Sequence, residues 1–306
     1  MYRFLTDIRE WLSRIRTALV GKYRLLTTES AYFQFAPPGH FYSPVPAISD
    51  IRKAKRGVLP RSLPGIDLND AEQLMLVEQL QPFYDELPFT DHKTHSLRYY
   101  FLNPYYSYSD AIFYYCLLRY LKPKIVIEIG SGYSSCVLLD TNERFFAHQI
   151  QCIFIEPYPD RLKALLKKED ITHSSVKILE QKLQDVPVEL FDKLQQNDIL
   201  FIDSTHVSKF NSDVNYIIHE ILPRLKQGVF IHFHDIFYPF EYPHEWLLEG
   251  RAWNESYILR AFLEFNTAFK IVLFNTYLEH FYRELLIERL PLIFKNEGGS
   301  LWLKRV

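Results

Sequence analysis

Two short stretches of the sequence hold groups able to bind a cation and move a proton. In DILFIDSTH, Asp203 and His206 stand three positions apart; in GVFIHFHD, His232, His234 and Asp235 crowd together. Carboxylates with imidazoles can ligate a divalent ion, and a free imidazole beside an ion-held hydroxyl can serve as general base. Asp203, His234 and Asp235 are the candidate metal ligands, and His206, with Asp203, the candidate catalytic group. The competing reading is a structural hydrogen-bond network, and His232 reads as a satisfied core histidine.

A third stretch, VIEIGSGYSS, places Glu128 two residues before Gly130, with Ser131 and Gly132 following. Glycines let a chain turn tightly and approach a ligand closely, and a helix starting there offers unpaired N–H donors. A dinucleotide site would add a third glycine, where this chain has Ser135. A carboxylate at Glu128 would repel a pyrophosphate and suits an amino-bearing or cationic ligand. The alternative is a plain tight turn. Downstream, FIEP puts Glu156 24 residues after Gly132, a spacing at which an acid can accept both hydroxyls of a ribose. Here the alternative is a surface glutamate.

These residues need elements to carry them. Apolar, β-rich runs occur at 124–130, 151–157, 175–180, 198–203, 228–235, 269–276 and 300–305. Helical stretches fit between them at 133–148, 158–169, 186–196, 211–226, 254–266 and 279–289. Nearly continuous apolar strands alternating with helices predict an α/β fold, a Rossmann-like seven-stranded and mostly parallel sheet with helices on both faces. In such sheets ligands sit beyond the carboxyl ends of the strands, where the candidates above all fall. Strands four and five should be neighbours, which would bring Asp203, His206, His234 and Asp235 into one small volume.

Ahead of the sheet, 110–121 reads as a helix with Ser109 as N-cap, and a helix is expected from Asp67 to about Leu87. Residues 31–65 hold many of the 17 prolines and read as irregular. Residues 1–30 alternate apolar and basic groups at helical spacing, the pattern of an amphipathic helix docked on the protein, on a second copy in a homo-oligomer, or peripherally on a membrane through residues 1–25. The expected division is a helical and proline-rich extension over 1–95 and the α/β domain over 96–306. No internal repeat is visible.

Composition narrows the field. With 35 basic and 37 acidic residues, the net charge of −2 argues against nucleic acid as a partner. Three cysteines are too few for a disulfide framework, no apolar run reaches the roughly 18 residues of a membrane span, and the opening residues lack a secretory signal pattern. Together these favour a cytoplasmic protein. Only 10 glycines occur in 306 residues, so two of them separated by one residue need a reason.

With VIEIGSGYSS, FIEP, DILFIDSTH, LPRLKQGVFIHFHD and the seven-strand rhythm assembled, residues 95–306 resemble the class I S-adenosylmethionine-dependent methyltransferases. Within that class the likeness is to metal-assisted small-molecule and sugar O-methyltransferases of the macrocin O-methyltransferase type. The resemblance implies S-adenosyl-L-methionine held by Glu128, Gly130, Ser131, Gly132 and Glu156. It also implies Mg2+ or another divalent metal, a small-molecule or glycan acceptor, and His206 as base. An acid expected near the adenine is replaced by Lys182, so Gln184, or else Gln181 or Asp185, must substitute. His234 stands where an acid is usual, which leaves the metal open, since Mg2+ prefers oxygen ligands and imidazole suits other ions. The aromatic residues Tyr105, Tyr106, Tyr108, Phe237 and Tyr238 are candidates for the acceptor site. Competing readings are a metal-free N-methyltransferase, a nicotinamide oxidoreductase, and a binding or scaffold protein with a vestigial cofactor pocket.

Overall fold

The computed structural model describes residues 36–54 and 57–306. The amphipathic pattern of residues 1–30 and the segment 1–25 lie outside the described residues. The chain divides into two compact units. The described part of the smaller one comprises 36–54 and His244–Ala252; in it helices Ile48–Lys53 and His244–Leu248 are linked by a contact of 2.9 Å from His244 Nε2 to the Ile51 carbonyl. The larger unit comprises Gly57–Pro243 and Trp253–Val306.

In the larger unit seven strands form one sheet: β1 (Ile125–Ile129), β2 (Gln151–Ile155), β3 (Val176–Leu179), β4 (Ile199–Ile202), β5 (Phe230–His234), β6 (Phe269–Phe274) and β7 (Ser300–Arg305). Their order is β3-β2-β1-β4-β5-β7-β6. The first five pair in parallel, and β7 inserts antiparallel between β5 and β6. The α/β reading is met, because β1, β2, β4 and β5 are almost wholly buried and mostly Ile, Val, Leu and Phe, broken by Glu128 in β1, Gln151 and Cys152 in β2, and His232 and His234 in β5.

The helices are less regular than their apolar spacing suggests. Those of the larger unit are α1 (Asp70–Tyr84), α2 (Tyr108–Leu121), α3 (Tyr133–Phe146), α4 (Asp160–Leu165), α5 (Lys168–Thr172), α6 (Asp213–Tyr216), α7 (Glu255–Leu263), α8 (Asn275–Phe281) and α9 (Arg283–Arg289). The helix expected over 186–196 is a 3-10 segment, Val188–Lys193. The one expected over 211–226 is α6 followed by a wide π turn and a 3-10 turn around Pro223, where proline removes an N–H donor. Ser109 does not cap α2. The N-cap is Ser107, and Ser109 lies inside the helix with its hydroxyl donating to Glu279.

The extension expected over 1–95 does not stand apart as a whole. Residues from Gly57 belong to the same compact unit as the sheet. Helix α1 buries Val77 and Leu80, and Gln73 Oε1 accepts the N–H of Phe274 at 2.8 Å. Arg98, buried, fastens the following segment to α3 and α5 through Asp140, Glu143 and Asp170.

Candidate active site

Register decides what meets at the carboxyl end of the sheet. Ile202 is level with Ile129 on one side and with Phe233 on the other. The next residues, Gly130, Asp203 and His234, therefore emerge side by side. Asp203 is pinned by its N–H to the Ile129 carbonyl at 2.8 Å, and Gly130 by its N–H to Ile155 at 3.0 Å. A β-carbon on Gly130 would lie 1.9 Å from the Asp203 carbonyl oxygen, and its φ is +76°. No other residue type fits where β1 turns against β4.

Glu128 is fully buried in β1, in a row across the sheet with Phe154, Phe201, His232 and Trp302. Its Oε1 accepts the hydroxyl of Ser134 in the first turn of α3, while its Oε2 has no hydrogen-bond partner; nor does the buried Ser131 Oγ. Burial drives the Glu128 carboxyl up to about 8, against the pull of the Ser134 and Ser135 hydroxyls. Two orphaned acceptors at the start of α3 fit a ligand that donates protons, as an ammonium group does. Glu156, half-buried at the end of β2, accepts the N–H of Ser131 at 3.2 Å and of Tyr158 at 2.8 Å. Gln184 stands further out, donating to the Asn211 carbonyl at 2.7 Å.

Strand β5 ends at His234, and Asp235, with φ +57°, turns back toward β4. Simple alternation would have sent its carboxylate to the opposite face. Asp203 Oδ1 and Asp235 Oδ2 lie 3.4 and 3.5 Å from His206 Nε2, and 3.5 and 3.8 Å from His234 Nδ1. Among the described residues, Asp203, His206 and Asp235 offer ligand atoms all within 4.8 Å of one another. The volume expected from the sequence therefore exists, with His206 in it on the same footing as the two carboxylates.

Each histidine is backed by a buried carboxylate that the sequence did not reveal. Glu255, 1% exposed at the start of α7, reaches His206 Nδ1 at 2.8 Å and also accepts the Ser204 hydroxyl at 3.1 Å. The N–H groups of Asn254 and Glu255 both donate to the His206 carbonyl, and the Trp253 ring packs on the imidazole at 4.3 Å. Asp110 in α2 lies 3.5 Å from His234 Nε2. Glu255 is 49 positions from His206 and Asp110 precedes His234 by 124, so no local spacing joins them.

Charge follows from this packing. Burial disfavours an imidazolium, yet the hydrogen bonds and charges of Asp203 and Glu255 lift His206 to about 10. Burial likewise opposes ionisation of Asp203, but His234 and His206 hold it well below the usual carboxylate range. His232 is different: it stacks on Phe201 at 4.0 Å, its Nε2 meets Ser300 Oγ at 2.9 Å, and burial keeps it neutral. It is a core residue. Of the aromatic candidates, Tyr106, Tyr108 and Tyr238 are buried, whereas Tyr105 is 57% exposed beneath the Arg161 guanidinium.

Residues 127–236 match the family model described as a methyltransferase domain, a span that includes Glu128, Glu156, Asp203, His206, His234 and Asp235 and leaves out Asp110 and Glu255. The chain is 32% identical over 169 residues to an uncharacterized protein of Archaeoglobus fulgidus, across 53% of this chain and 75% of that one. Among solved structures it is similar to the SAH-bound methyltransferase PaMTH1 of Podospora anserina, with 15% identity, TM-score 0.42, and coverage of 84% of this chain and 93% of that one. It is also similar to the O-methyltransferase TomG of Streptomyces achromogenes, with 14% identity, TM-score 0.41, and coverage of 77% and 90%. No helix among the described residues is long and apolar enough to cross a membrane.

Proposed function

We propose that this chain, which belongs to one family with the Archaeoglobus fulgidus protein and holds a methyltransferase domain in residues 127–236, transfers a methyl group from S-adenosyl-L-methionine to a hydroxyl of a small molecule or sugar, assisted by a divalent cation. The carrying observation is the meeting of two unlike half-sites at one backbone contact. On one side of the Gly130–Asp203 junction lie the orphaned Glu128 and Ser131 acceptors; on the other lie Asp203, His206 and Asp235.

S-adenosylmethionine supplies a methyl already activated on a sulfonium. The protein's task is to align that carbon with an acceptor oxygen, and alignment alone can lower a barrier by several kcal/mol, up to roughly 7–11 in ideal systems. Glu128 and Ser131 would take the ammonium end, Gly130 and Gly132 the close backbone approach, and Glu156 the ribose hydroxyls. In the transfer an O–C bond forms, the C–S bond breaks, and the hydroxyl proton must leave. His206 would receive it, with Glu255 fixing the imidazole so that Nε2 faces the reaction. Asp203 and Asp235 would hold the cation, whose charge lowers the hydroxyl's pKa. With Asp203 engaged on a cation, His206 would lose one of the two carboxylates that raise it, Glu255 remaining behind Nδ1 and leaving Nε2 to take the proton.

The test is calorimetric titration with S-adenosylmethionine, then methyl transfer to a panel of sugar and catechol acceptors with and without a chelator. Micromolar binding and chelator-sensitive transfer are expected. Absence of S-adenosylmethionine binding would refute the reading, and transfer indifferent to the chelator would refute its metal-assisted part.

A further inference from the structure

We infer that the cation site is completed by a nitrogen, Nδ1 of His234 held in place by Asp110, and therefore takes a first-row transition ion such as Mn2+, Fe2+ or Zn2+ in preference to Mg2+. The inference rests on the metal-assisted reading above. Its starting point is an oddity of packing: His234 is 7% exposed, and its Nδ1 is sealed from solvent with no hydrogen-bond partner. A buried polar atom left so is costly unless something occupies its lone pair.

The direction of that lone pair is fixed. Asp110 lies 3.5 Å from the other ring nitrogen, Nε2, and is itself buried. Asp110 Oδ1 is held in turn by the N–H of Gly299 at 3.0 Å, by Asn275 Nδ2 at 3.2 Å and by the Ser300 hydroxyl. A β-carbon on Gly298 would lie 2.5 Å from that oxygen, so the glycine leaves the carboxylate its room. The Tyr106 ring packs on the imidazole at 5.2 Å. A carboxylate bound to the far nitrogen of an imidazole is the usual support of a metal-ligating histidine, since it fixes the tautomer and raises the basicity of the near nitrogen.

What the near nitrogen faces is the carboxylate pair. His234 Nδ1 stands 3.5 Å from Asp203 Oδ1 and 3.8 Å from Asp235 Oδ2 and makes a hydrogen bond to neither. Ligands held about 2.0–2.2 Å from one ion are separated from each other by about 3.0–3.6 Å, so closing on an ion needs only tenths of an ångström. The chemistry of the set then selects the ion. Mg2+ demands oxygen ligands and sheds water reluctantly, whereas imidazole with carboxylates suits Mn2+, Fe2+ and Zn2+. Aspartate at 203 and 235 alone would not discriminate in this way.

The test uses the full chain stripped with a chelator and titrated with Mn2+, Zn2+ and Mg2+, with pulsed electron paramagnetic resonance on the Mn2+ form. Mn2+ or Zn2+ should bind at least 10-fold more tightly than Mg2+, and the spectrum should carry 14N modulation from a bound imidazole. That modulation should survive His206→Ala and vanish in His234→Gln. Asp110→Asn should weaken Mn2+ binding by about 10–100-fold. Because Asp110 also carries Gly299 and Ser300, circular dichroism accompanies each variant, and the His206→Ala and His234→Gln pair decides alone if Asp110→Asn unfolds. Equal or tighter Mg2+ binding would overturn the inference, as would modulation lost in His206→Ala but kept in His234→Gln. Titration with S-adenosylmethionine and the transfer assay run on the same preparations. Transfer without a nitrogen signal overturns this site alone, and a nitrogen signal without S-adenosylmethionine binding overturns the methyl-transfer reading alone.

Discussion

Glu128 offers a sharp quantitative check, because its protonation should change when the methyl donor binds. In the free protein burial holds its carboxyl at about 8. At pH 6.5 it is therefore protonated in about 97% of molecules. An α-ammonium group, with a pKa of about 7.7–8.0, is mostly charged at that pH, and it would pair with the ionised carboxylate. Binding should thus expel close to one proton per site at pH 6.5 and, because the free carboxyl and the free amine are both largely deprotonated at pH 9, take up close to one there. Calorimetry in two buffers of different ionisation enthalpy reads this number directly. Glu128→Gln should release none and should weaken binding about 10- to 150-fold, the loss of a charged hydrogen bond worth roughly 1.5–3 kcal/mol. The same group makes stability depend on pH. Unfolded, the carboxyl lets go of its proton near 4.5, whereas the folded protein keeps it to about 8. The folded state binds more protons in that window, so stability falls as pH climbs from 4.5 to 8 and is level above. The full effect is on the order of 5 kcal/mol. Glu279, also lifted to about 8 by burial, slopes the same way, so the difference between Glu128→Gln and the parent protein isolates Glu128. In denaturant melts that difference should favour the variant increasingly up to about pH 8. Binding with no buffer-dependent heat at pH 6.5 would refute Glu128 as the ammonium partner.

Glu156→Ala should raise the dissociation constant for S-adenosylmethionine about 10- to 150-fold, measured by the same titration, since two hydroxyls lose a charged acceptor. Gly130→Ala should destabilise the fold by about 2–5 kcal/mol, from a strained positive φ and a clash with the Asp203 carbonyl. Gly132→Ala should melt like the parent protein, because its φ is extended and its nearest neighbour is the Arg161 Cδ at 3.6 Å. Glu255→Gln should lower turnover by 10-fold or more while leaving the S-adenosylmethionine affinity unchanged; equal turnover would show that the imidazole needs no carboxylate behind it.

The sheet was legible because burial on both faces writes itself as unbroken apolar runs, and a polar residue inside such a run, Glu128 or His234, stands out. Strand ends are legible for the same reason, which is why Asp203, His206, His234 and Asp235 group together in the sequence alone. Helices were harder. Apolar spacing over 211–226 does not show that Pro223 and a π turn break the helix into pieces. The turn at Asp235 was invisible too, since nothing in HFHD announces a left-handed residue. Asp110 and Glu255 were unreadable for a deeper reason. Each is an ordinary acid at the start of a helix, favoured there by the helix dipole whatever else it does. Only tertiary packing aims it at an imidazole.

The antiparallel strand β7 separates the making of this protein from its working. Strand β5 leaves the ribosome long before its second neighbour: 65 residues lie between His234 and Ser300. At about 5–20 residues per second that is roughly 3–13 s during which one edge of β5 waits uncovered. Gly299 and Ser300, the groups that hold Asp110, arrive at the same late moment. A nascent chain can therefore possess the glycine turn, both aspartates and both histidines and still lack the brace behind His234. The carboxylate brace behind His234 can therefore close only once β7 has been made.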